Sequence, residues 1–400
     1  MIKENKKKIM IVAADRSQVP LYIAARDLGC ETYAVSIDGD YPGFQYADNI
    51  VLHDIKDAEG VAKIAESLNI DAVVTASLDM ALPAVGAACT HNDLRGLSME
   101  AAMRSTNKYL MKEALQSHGV NTAIFAKVSN EEELLSASDK IGLPLIVKAV
   151  DLSASRGINI VRTEDELLDA YRSTMEASRL DYCIIEQFIE GYECSATAFV
   201  IDGETIFVLP TGDIRYGINE ELPIGHYVPY EDNDVVMESI KQEVEKGVVA
   251  LGLNNCAVNV DIIISDNKAY ILEMTGRFGG NGMLDLSSIY YGIDMHRLII
   301  KTALGDVDDI KATDFSGRYQ PCICRMLFSE KKGIIRKLVY DDIDNNSDVD
   351  LTFYKQVGDS VEAFKGPKDY LGQVIVKAET LAECKKRLED VLNNLQIDVQ

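Results

Sequence analysis

The first hundred residues alternate between two kinds of apolar segment. Strands are predicted for KIMIVAA, ETYAVSID and DAVVTAS, and helices for VPLYIAARDLG, GVAKIAESLN and MALPAVGAACTHN. Strand–helix alternation at this spacing predicts βαβ units around a parallel sheet. The first turn, AADRSQVP, lacks the G-x-G-x-x-G pattern of dinucleotide-binding turns, so we assign no dinucleotide to this region.

Length and charge limit the kinds of protein that this chain can be. Its 400 residues favour two or three domains, at about 150 residues per domain. Acidic residues outnumber basic ones by 64 to 40, and the net charge of -24 disfavours binding to nucleic acid or to an anionic membrane surface. A phosphate-bearing ligand therefore has to be held by a local basic site.

Neither the N-terminus nor the cysteines indicate export. We interpret MIKENKKKIMIVAADR as a basic tail and a first strand, because its apolar run is too short for a signal peptide. No apolar run approaches the roughly 18 residues of a membrane helix. The eight cysteines include no C-x-x-C motif, and Cys322 and Cys324 are interpreted as packing residues rather than metal ligands. We expect a reduced, cytoplasmic protein without a membrane partner.

Two further regions follow the first. From near Ser105, helices are predicted for NKYLMKEALQSHG, NEEELLSASDKIG and TEDELLDAYRSTMEAS, the last two with capping boxes at Ser129–Glu132 and Thr163–Glu166. The apolar spacing of VMESIKQEVEKGVVALGL predicts an amphipathic helix. Beyond Gly305, short strands and the closing helix TLAECKKRLEDVLNNL predict a small antiparallel α+β domain.

Two acidic residues flank the turn between the predicted strands CAVNVDIIIS and KAYILEMTG. If the loop is Asp266-Asn267-Lys268, Asp261 faces Glu273 directly, with Cβ atoms about 5 Å apart. Neighbouring carboxylates repel each other unless a cation lies between them, and their oxygens suit Mg²⁺. A two-residue loop would put the acids on opposite faces, and the alternative that one acid points to solvent stays open.

A lysine interrupts the apolar segment LPLIVKAV. Burial of the Lys148 ammonium requires an anionic partner, and the small-residue loop SASRG that follows could fold over phosphates with its backbone N–H groups. Arg156 in that loop adds positive charge. The alternative is that Lys148 lies on an edge strand and snorkels to water.

Other residues are candidate ligand contacts. The strand segment IIEQ ends near Glu186, after which backbone groups are available to an adenine edge, and Glu193 can accept hydrogen bonds from ribose hydroxyls. Arg277 can clamp a carboxylate or phosphate, or form a salt bridge to a nearby acid, and the glycines after it leave the backbone accessible. The segment 213–230, predicted to be irregular, is either a specificity loop or a connecting loop with an incidental histidine, His226.

In their order along the chain, these features resemble the ATP-grasp superfamily, which includes biotin carboxylase, the large chain of carbamoyl phosphate synthetase and D-alanine ligase. The resemblance covers nearly the whole chain. It implies an α/β and α+β fold with a Rossmann-like pre-ATP-grasp domain at 1–104, a two-lobed ATP-grasp domain at 105–306, and a small C-terminal α+β domain at 307–400. The small lobe, with a phosphate lid, is expected at about 120–185.

The resemblance also implies a role for individual residues. The ATP-binding residues would be Lys108, Lys148, Ser153, Ser155, Arg156, Gly157, Glu186, Gln187, Phe188, Ile189 and Glu193. The catalytic residues would be Arg277, Lys148 and Arg156. The metal ligands would be Asp261, Glu273 and Thr275, where the family usually has asparagine at the last of these positions. The substrate contacts would be Arg215, Tyr216, His226, Gly279 and Gly280.

The expected reaction is an ADP-forming ligation that uses ATP and Mg²⁺, with Mn²⁺ as an alternative ion. A carboxylate attacks the γ-phosphate, and an amine attacks the resulting acyl phosphate to form an amide. Two alternatives stay open: a carboxylase or formate-using transferase of the same superfamily, and a non-catalytic nucleotide sensor. The expected partners are a small carboxylate and a small amine, and a homodimer is compatible with the resemblance.

Overall fold

The chain forms two compact units. The structure is a computed structural model, and it describes residues 6–152, 157–217, 222–316, 319–340 and 347–400. Unit 1 contains the described residues within Met1–Val208, Asp232–Phe278 and Met295–Asp314, and unit 2 those within Leu209–Glu231, Gly279–Asp294 and Phe315–Gln400. The three domain ranges given above stay predictions.

The N-terminal part of unit 1 is a four-stranded sheet with helices. Its strands follow the order β3-β2-β1-β4, and every neighbouring pair is parallel, as the alternation predicts. The central strand is buried along both faces from Ile9 to Val12, which is why it reads as a continuous apolar run. The elements are β1 (Lys8–Val12), α1 (Val19–Asp27), β2 (Glu31–Ser36), β3 (Asn49–Leu52), α2 (Ala58–Leu68), β4 (Ala72–Val74), α3 (Leu82–His91) and α4 (Met99–Thr106).

The next part of unit 1 is an antiparallel sheet of order β5-β8-β6-β7. The capping box at Thr163 and Glu166 is confirmed. The box at Ser129 is wrong by one residue, because the Asn130 side chain accepts from the Glu133 N–H and is the actual cap. The elements are α5 (Lys108–Ser117), β5 (Phe125–Val128), α6 (Glu131–Ile141), β6 (Leu145–Ala149), β7 (Ile158–Val161), α7 (Glu164–Ala177) and β8 (Cys183–Gln187).

A third sheet in unit 1 carries the two predicted acids. Strands β9 and β13 pair antiparallel on either side of β12, and α8 packs on β13 through an apolar stripe that includes Ile240 and Val244. This part of the chain contains β9 (Tyr192–Ile201), β10 (Glu204–Tyr216), β11 (Leu222–Val228), α8 (Asp234–Leu251), β12 (Cys256–Ser265), β13 (Lys268–Thr275), α9 (Met283–Tyr291), α10 (Met295–Leu304) and α11 (Asp308–Lys311). From Leu209 onward β10 belongs to unit 2, as do β11 and α9.

Unit 2 is an antiparallel α+β unit, as predicted for the C-terminal region. One sheet has the order β10-β11-β14-β18-β16 and another β17-β15-β19, with α12 packed on β14 and β18. Segment 213–230 is largely strand rather than irregular, because the β10 and β11 backbones bond to each other and β11 also bonds to β14. The remaining elements are β14 (Cys322–Leu327), β15 (Gly333–Tyr340), β16 (Val349–Phe353), β17 (Ser360–Val361), β18 (Gly372–Lys377), α12 (Leu381–Asn394) and β19 (Leu395–Val399).

Cysteines and apolar helices add little to the functional assignment. All eight cysteines lie in the described ranges, where none forms a disulfide bond, and Cys322 and Cys324 are buried on β14. Across the described ranges, no helix combines the length and the apolarity that crossing a bilayer requires.

Candidate active site

The hairpin of β12 and β13 places Asp261 directly opposite Glu273. The turn has two residues, Asp266 and Asn267, both with positive φ, and not the three on which the prediction depended. Such a turn alone would put the acids on opposite faces. The register shifts next to Asp261, leaving Leu272 as an extra residue on β13, and this bulge returns both carboxylates to one face.

Two rows of polar residues cross the same face of the three neighbouring strands β9, β12 and β13. Ser195, Asp261 and Glu273 are in register across β9, β12 and β13. The second row lies two residues away on each strand, before Asp261 on β12 and after Ser195 and Glu273 on β9 and β13, because side chains on one face recur with a period of two. It consists of Thr197, Asn259 and Thr275.

Lys108 joins Glu273 to the start of the predicted phosphate lid. Its Nζ lies 2.8 Å from Glu273 Oε1 and donates to the Leu152 carbonyl oxygen at 3.0 Å. Burial disfavours the ammonium, but the Glu273 carboxylate outweighs this effect, so that the pKa of Lys108 is raised above its usual value. Lys108 therefore stays cationic beside one of the two candidate metal ligands.

Lys148 has a protein partner, Glu186. The structure excludes the edge-strand alternative, since β6 lies between β8 and β7 and Lys148 is 8% exposed. Lys148 Nζ lies 2.8 Å from Glu186 Oε2, and Lys112 Nζ lies 3.4 Å from the same oxygen. The anionic partner that burial of Lys148 requires is therefore a carboxylate of the protein, and the predicted phosphate contact stays a prediction. Two ammonium groups nevertheless share one carboxylate, and this lysine cluster (Lys112, Lys148 and Glu186) retains an excess positive charge.

Opposing electrostatic effects set the protonation of the lysine cluster. Burial opposes ionisation of Glu186, but the Lys112 and Lys148 ammonium groups outweigh it and lower the pKa of Glu186 to about 2. Burial, with repulsion from Lys148, lowers the pKa of Lys112 to about 8 despite attraction by Glu186. Lys112 was not among the predicted residues. Its position one helical turn after Lys108, on the same face of the helix, is the signal that could have identified it.

The described residues at both ends of the predicted lid are anchored. The Asp151 carboxylate accepts from Ser178 Oγ and from the Arg179 N–H, and Leu152 is held by Lys108. At the other end, the Gly157 carbonyl accepts from the Ala149 N–H at 2.8 Å. The predicted lid contacts Ser153, Ser155 and Arg156 lie outside the described residues.

We expect Gly157→Ala to destabilise the protein by about 1–2 kcal/mol or more, because an alanine resists the left-handed backbone found here. Its Cβ would also lie 2.9 Å from Ala149 Cβ and 3.1 Å from Leu152 Cδ1. Urea unfolding measures the change. Gly119→Ala is the matched control, since Gly119 has a similar φ but no atom within 4 Å of the added Cβ. Equal losses for the two variants would contradict the steric contribution.

The predicted adenine hinge follows β8. The Gln187 N–H donates to the Ile124 carbonyl and the Phe188 N–H to the Pro144 carbonyl, so these two donors already have backbone partners. A contact with an adenine edge would then have to come from Ile189 or from carbonyl oxygens. Glu193, the predicted ribose acceptor, lies on β9 in register with Ile263.

Arg277 makes a bidentate ion pair with Asp79. Its Nε and one terminal nitrogen each lie 2.7 Å from a carboxylate oxygen of Asp79, and the other terminal nitrogen donates to the Phe278 carbonyl. Burial works against both charges, but the mutual attraction prevails: it lowers the pKa of Asp79 and raises that of Arg277. Of the two predicted roles of Arg277, the structure therefore contains the salt bridge. Its partner Asp79 was not predicted, because Asp79 lies 198 residues earlier in the chain than Arg277.

The predicted substrate residues lie in unit 2. Asp213 accepts from His226 Nδ1 at 2.9 Å and from Arg215 at 3.1 Å, and its side chain is 5% exposed. The ring of Tyr216 packs edge-on against Phe328 and Phe364. His226 is thus held in a buried hydrogen-bonded pair with Asp213. The glycines Gly279 and Gly280 precede α9, and the Gly280 carbonyl accepts from the Met283 N–H.

The donor set around the hairpin suits Mg²⁺. Asp261 and Glu273 supply hard carboxylate oxygens, and Thr275 Oγ1 is a buried oxygen that has no hydrogen-bond partner among the described residues. No group of three or more histidine, cysteine, aspartate or glutamate side chains that could hold a metal occurs within the part of the chain that the structure describes. A metal here would be held by two acids together with neutral oxygen atoms.

Comparison with known proteins gives the class. Residues 106–219 match the family described as phosphoribosylglycinamide synthetase, ATP-grasp (A) domain, and residues 325–400 match L-amino acid ligase C-terminal domain 2. A crystal structure of phosphoribosylglycinamide synthetase from Anaerococcus prevotii has 39% sequence identity and a TM-score of 0.86, with 99% of this chain and 100% of that chain covered. The chain belongs to the ATP-grasp superfamily of ligases, and the predicted resemblance is confirmed.

Two other proteins add to this comparison. The L-amino acid ligase from Bacillus licheniformis has the same fold, with a TM-score of 0.82 at 19% identity and full coverage of both chains. Alanine–anticapsin ligase from Bacillus amyloliquefaciens is 26% identical over 308 residues. That match covers 68% of this chain and 64% of the relative, so the chain spans less than two thirds of that curated relative.

Proposed function

We propose that this protein is an ATP-dependent, ADP-forming carboxylate–amine ligase that forms an amide through an acyl phosphate. The observation that carries the proposal is the in-register pair Asp261 and Glu273, with Lys108 bound to the second acid. Two carboxylates beside a buried cation form a site in which a metal and phosphate oxygens are charge-balanced. The class of the relatives supports the same chemistry.

In this proposal, the residues of the site bind the metal and the phosphates and neutralise their charge. Asp261, Glu273 and Thr275 would hold Mg²⁺, which when bound neutralises charge on the phosphate oxygens. Lys148 would attract the phosphates, because the lysine cluster retains an excess positive charge, and Lys108 would do so as the buried cation beside Glu273. Closure of the lid would exclude water from the acyl phosphate. Arg277 is paired with Asp79, so it would have to leave Asp79 and contact the negative charge of the acyl phosphate in order to stabilise that intermediate.

We propose an amino acid as one of the two substrates. The match of residues 325–400 to an L-amino acid ligase domain supports this class, as does the name of the alanine–anticapsin ligase relative. In unit 2, Arg215 offers a guanidinium that can pair with a carboxylate, while its partner Asp213 also holds His226. The partners are therefore small molecules, and a homodimer and a cytoplasmic location stay predictions.

Product analysis tests the reaction. We expect release of ADP and phosphate from MgATP only when a carboxylate and an amine are both present, with one ¹⁸O atom of a labelled carboxylate appearing in the phosphate. That transfer follows because one carboxylate oxygen bridges carbon and phosphorus in the acyl phosphate. When the amine attacks the carbonyl carbon, phosphate leaves with that oxygen. Release with bicarbonate or formate alone would favour the carboxylase or transferase alternative. AMP and pyrophosphate as products would exclude the acyl phosphate.

A further inference from the structure

The row of Thr197, Asn259 and Thr275 contains three buried side chains whose oxygens lack partners. They are 0%, 8% and 2% exposed. Within the described ranges, the oxygens Thr197 Oγ1, Asn259 Oδ1 and Thr275 Oγ1 have no hydrogen-bond partner. Buried polar atoms are nearly always satisfied in native proteins, and a buried amide oxygen in particular needs a donor or a cation. In the part of the chain that the structure describes, no hydrogen-bond donor or cation therefore meets these three oxygens.

Asn259 lies where an amide could reach the two acids. It is in direct register with Thr275 on β13, and it precedes Asp261 by two residues on the same face of β12. Its Nδ2 contacts Asp261 Oδ1 at 3.4 Å, which is long for a hydrogen bond. A half-turn about χ2 exchanges the amide nitrogen and oxygen, so that the oxygen would face the carboxylate side. This orientation is favourable only with a cation beside Asp261, because two acceptors otherwise repel each other.

The neighbouring residue on β13 makes the position of this amide informative. Thr275, two residues after the second acid, offers only a hydroxyl, which is a weaker ligand for Mg²⁺ than an amide oxygen. We propose that Asn259 Oδ1 is a ligand of the Mg²⁺ held by Asp261 and Glu273, so that the amide is supplied from β12 rather than from β13. The inference rests on the proposed function, since it assigns a further ligand to the same metal site.

Mn²⁺ binding tests the assignment without measuring turnover. Free Mn²⁺ is followed by electron paramagnetic resonance during titration of the full chain in the presence of saturating ADP. Asn259→Thr should raise the Kd for Mn²⁺ by about 10-fold or more, as loss of a metal-orienting group does. The double variant Asn259→Thr/Thr275→Asn moves the amide to the facing position on β13, two residues from Glu273, and should recover most of the affinity. If Asn259 were only structural, an asparagine at position 275 on β13 would not restore Mn²⁺ affinity.

Both neighbours of Asn259 in the row are threonines, so a third threonine should fit there and Asn259→Thr is expected to fold. Thermal unfolding in the absence of metal verifies this. Thr302→Val is the matched control, because it removes from α10 another buried hydroxyl that has no partner among the described residues, and it should leave Mn²⁺ binding unchanged. Wild-type affinity in Asn259→Thr, together with loss of binding in Asp261→Asn, would overturn the inference and leave the proposed function intact. Failure of the folded double variant to recover affinity would also overturn it. Absence of Mn²⁺ binding by the wild-type protein with ADP would overturn both proposals.

Discussion

Asp261→Asn is expected to lower ATP turnover by at least about 100-fold, the size of effect seen when one preorganised electrostatic contact is lost from an active site. Asparagine keeps the shape of the side chain but removes the negative charge that would balance Mg²⁺. Because Asp261 is exposed, folding should change little. The measurement is the rate of ADP release at increasing Mg²⁺, and partial recovery at high Mg²⁺ is expected if the metal site is weakened.

The same hairpin provides the control. Asp266→Asn makes the same chemical change at an exposed turn residue with positive φ, a conformation that asparagine accepts readily. It should retain normal turnover. Undiminished activity in Asp261→Asn would reject the metal assignment. Glu273→Gln is a less specific test, because it also removes the partner of Lys108.

The largest expected effect on stability is that of Glu186→Gln, with a loss of about 3–5 kcal/mol in the free energy of unfolding. The substitution leaves Lys112 and Lys148 buried without their shared carboxylate. Because the folded-state pKa of Glu186, about 2, lies below its ordinary value of 4.5, its contribution is present above about pH 4.5 and is lost as the pH falls towards 2. Urea unfolding at neutral pH measures the loss, and repeating it across the acid range for both proteins tests the pH dependence.

A second substitution separates charge from packing. Lys112→Met in the Glu186→Gln background removes one of the two unpaired ammonium groups and should recover about 1–3 kcal/mol. The matched surface change is Glu131→Gln, which removes the carboxylate partner of the exposed Arg172 and should alter stability little. If the double variant is as unstable as Glu186→Gln alone, repulsion and desolvation of the lysines are not the cause of the loss.

Much of the architecture was predictable because it depends on local periodicity. The parallel sheet of β1 to β4 follows from strand–helix alternation, and the α7 cap from Thr163 and Glu166. Elements with weak patterns were missed, among them β3, whose four residues alternate between half-buried and exposed positions. The prediction that segment 213–230 is irregular is wrong, because its strands are stabilised by backbone hydrogen bonds to neighbouring strands. Its polar, glycine-containing sequence does not indicate that pairing.

The sequence by itself determined the class of this protein and the spacing of its candidate ligands, because the period of a strand and the position of a charge along it are local properties. Only the tertiary structure decided which charges meet. Lys148 pairs with Glu186 and Lys112, Arg277 pairs with Asp79, and the bulge at Leu272 decides that Asp261 and Glu273 share a face. These outcomes depend on segments far apart in the chain and on a one-residue shift in register, neither of which leaves a signal in local hydrophobic or charge patterns.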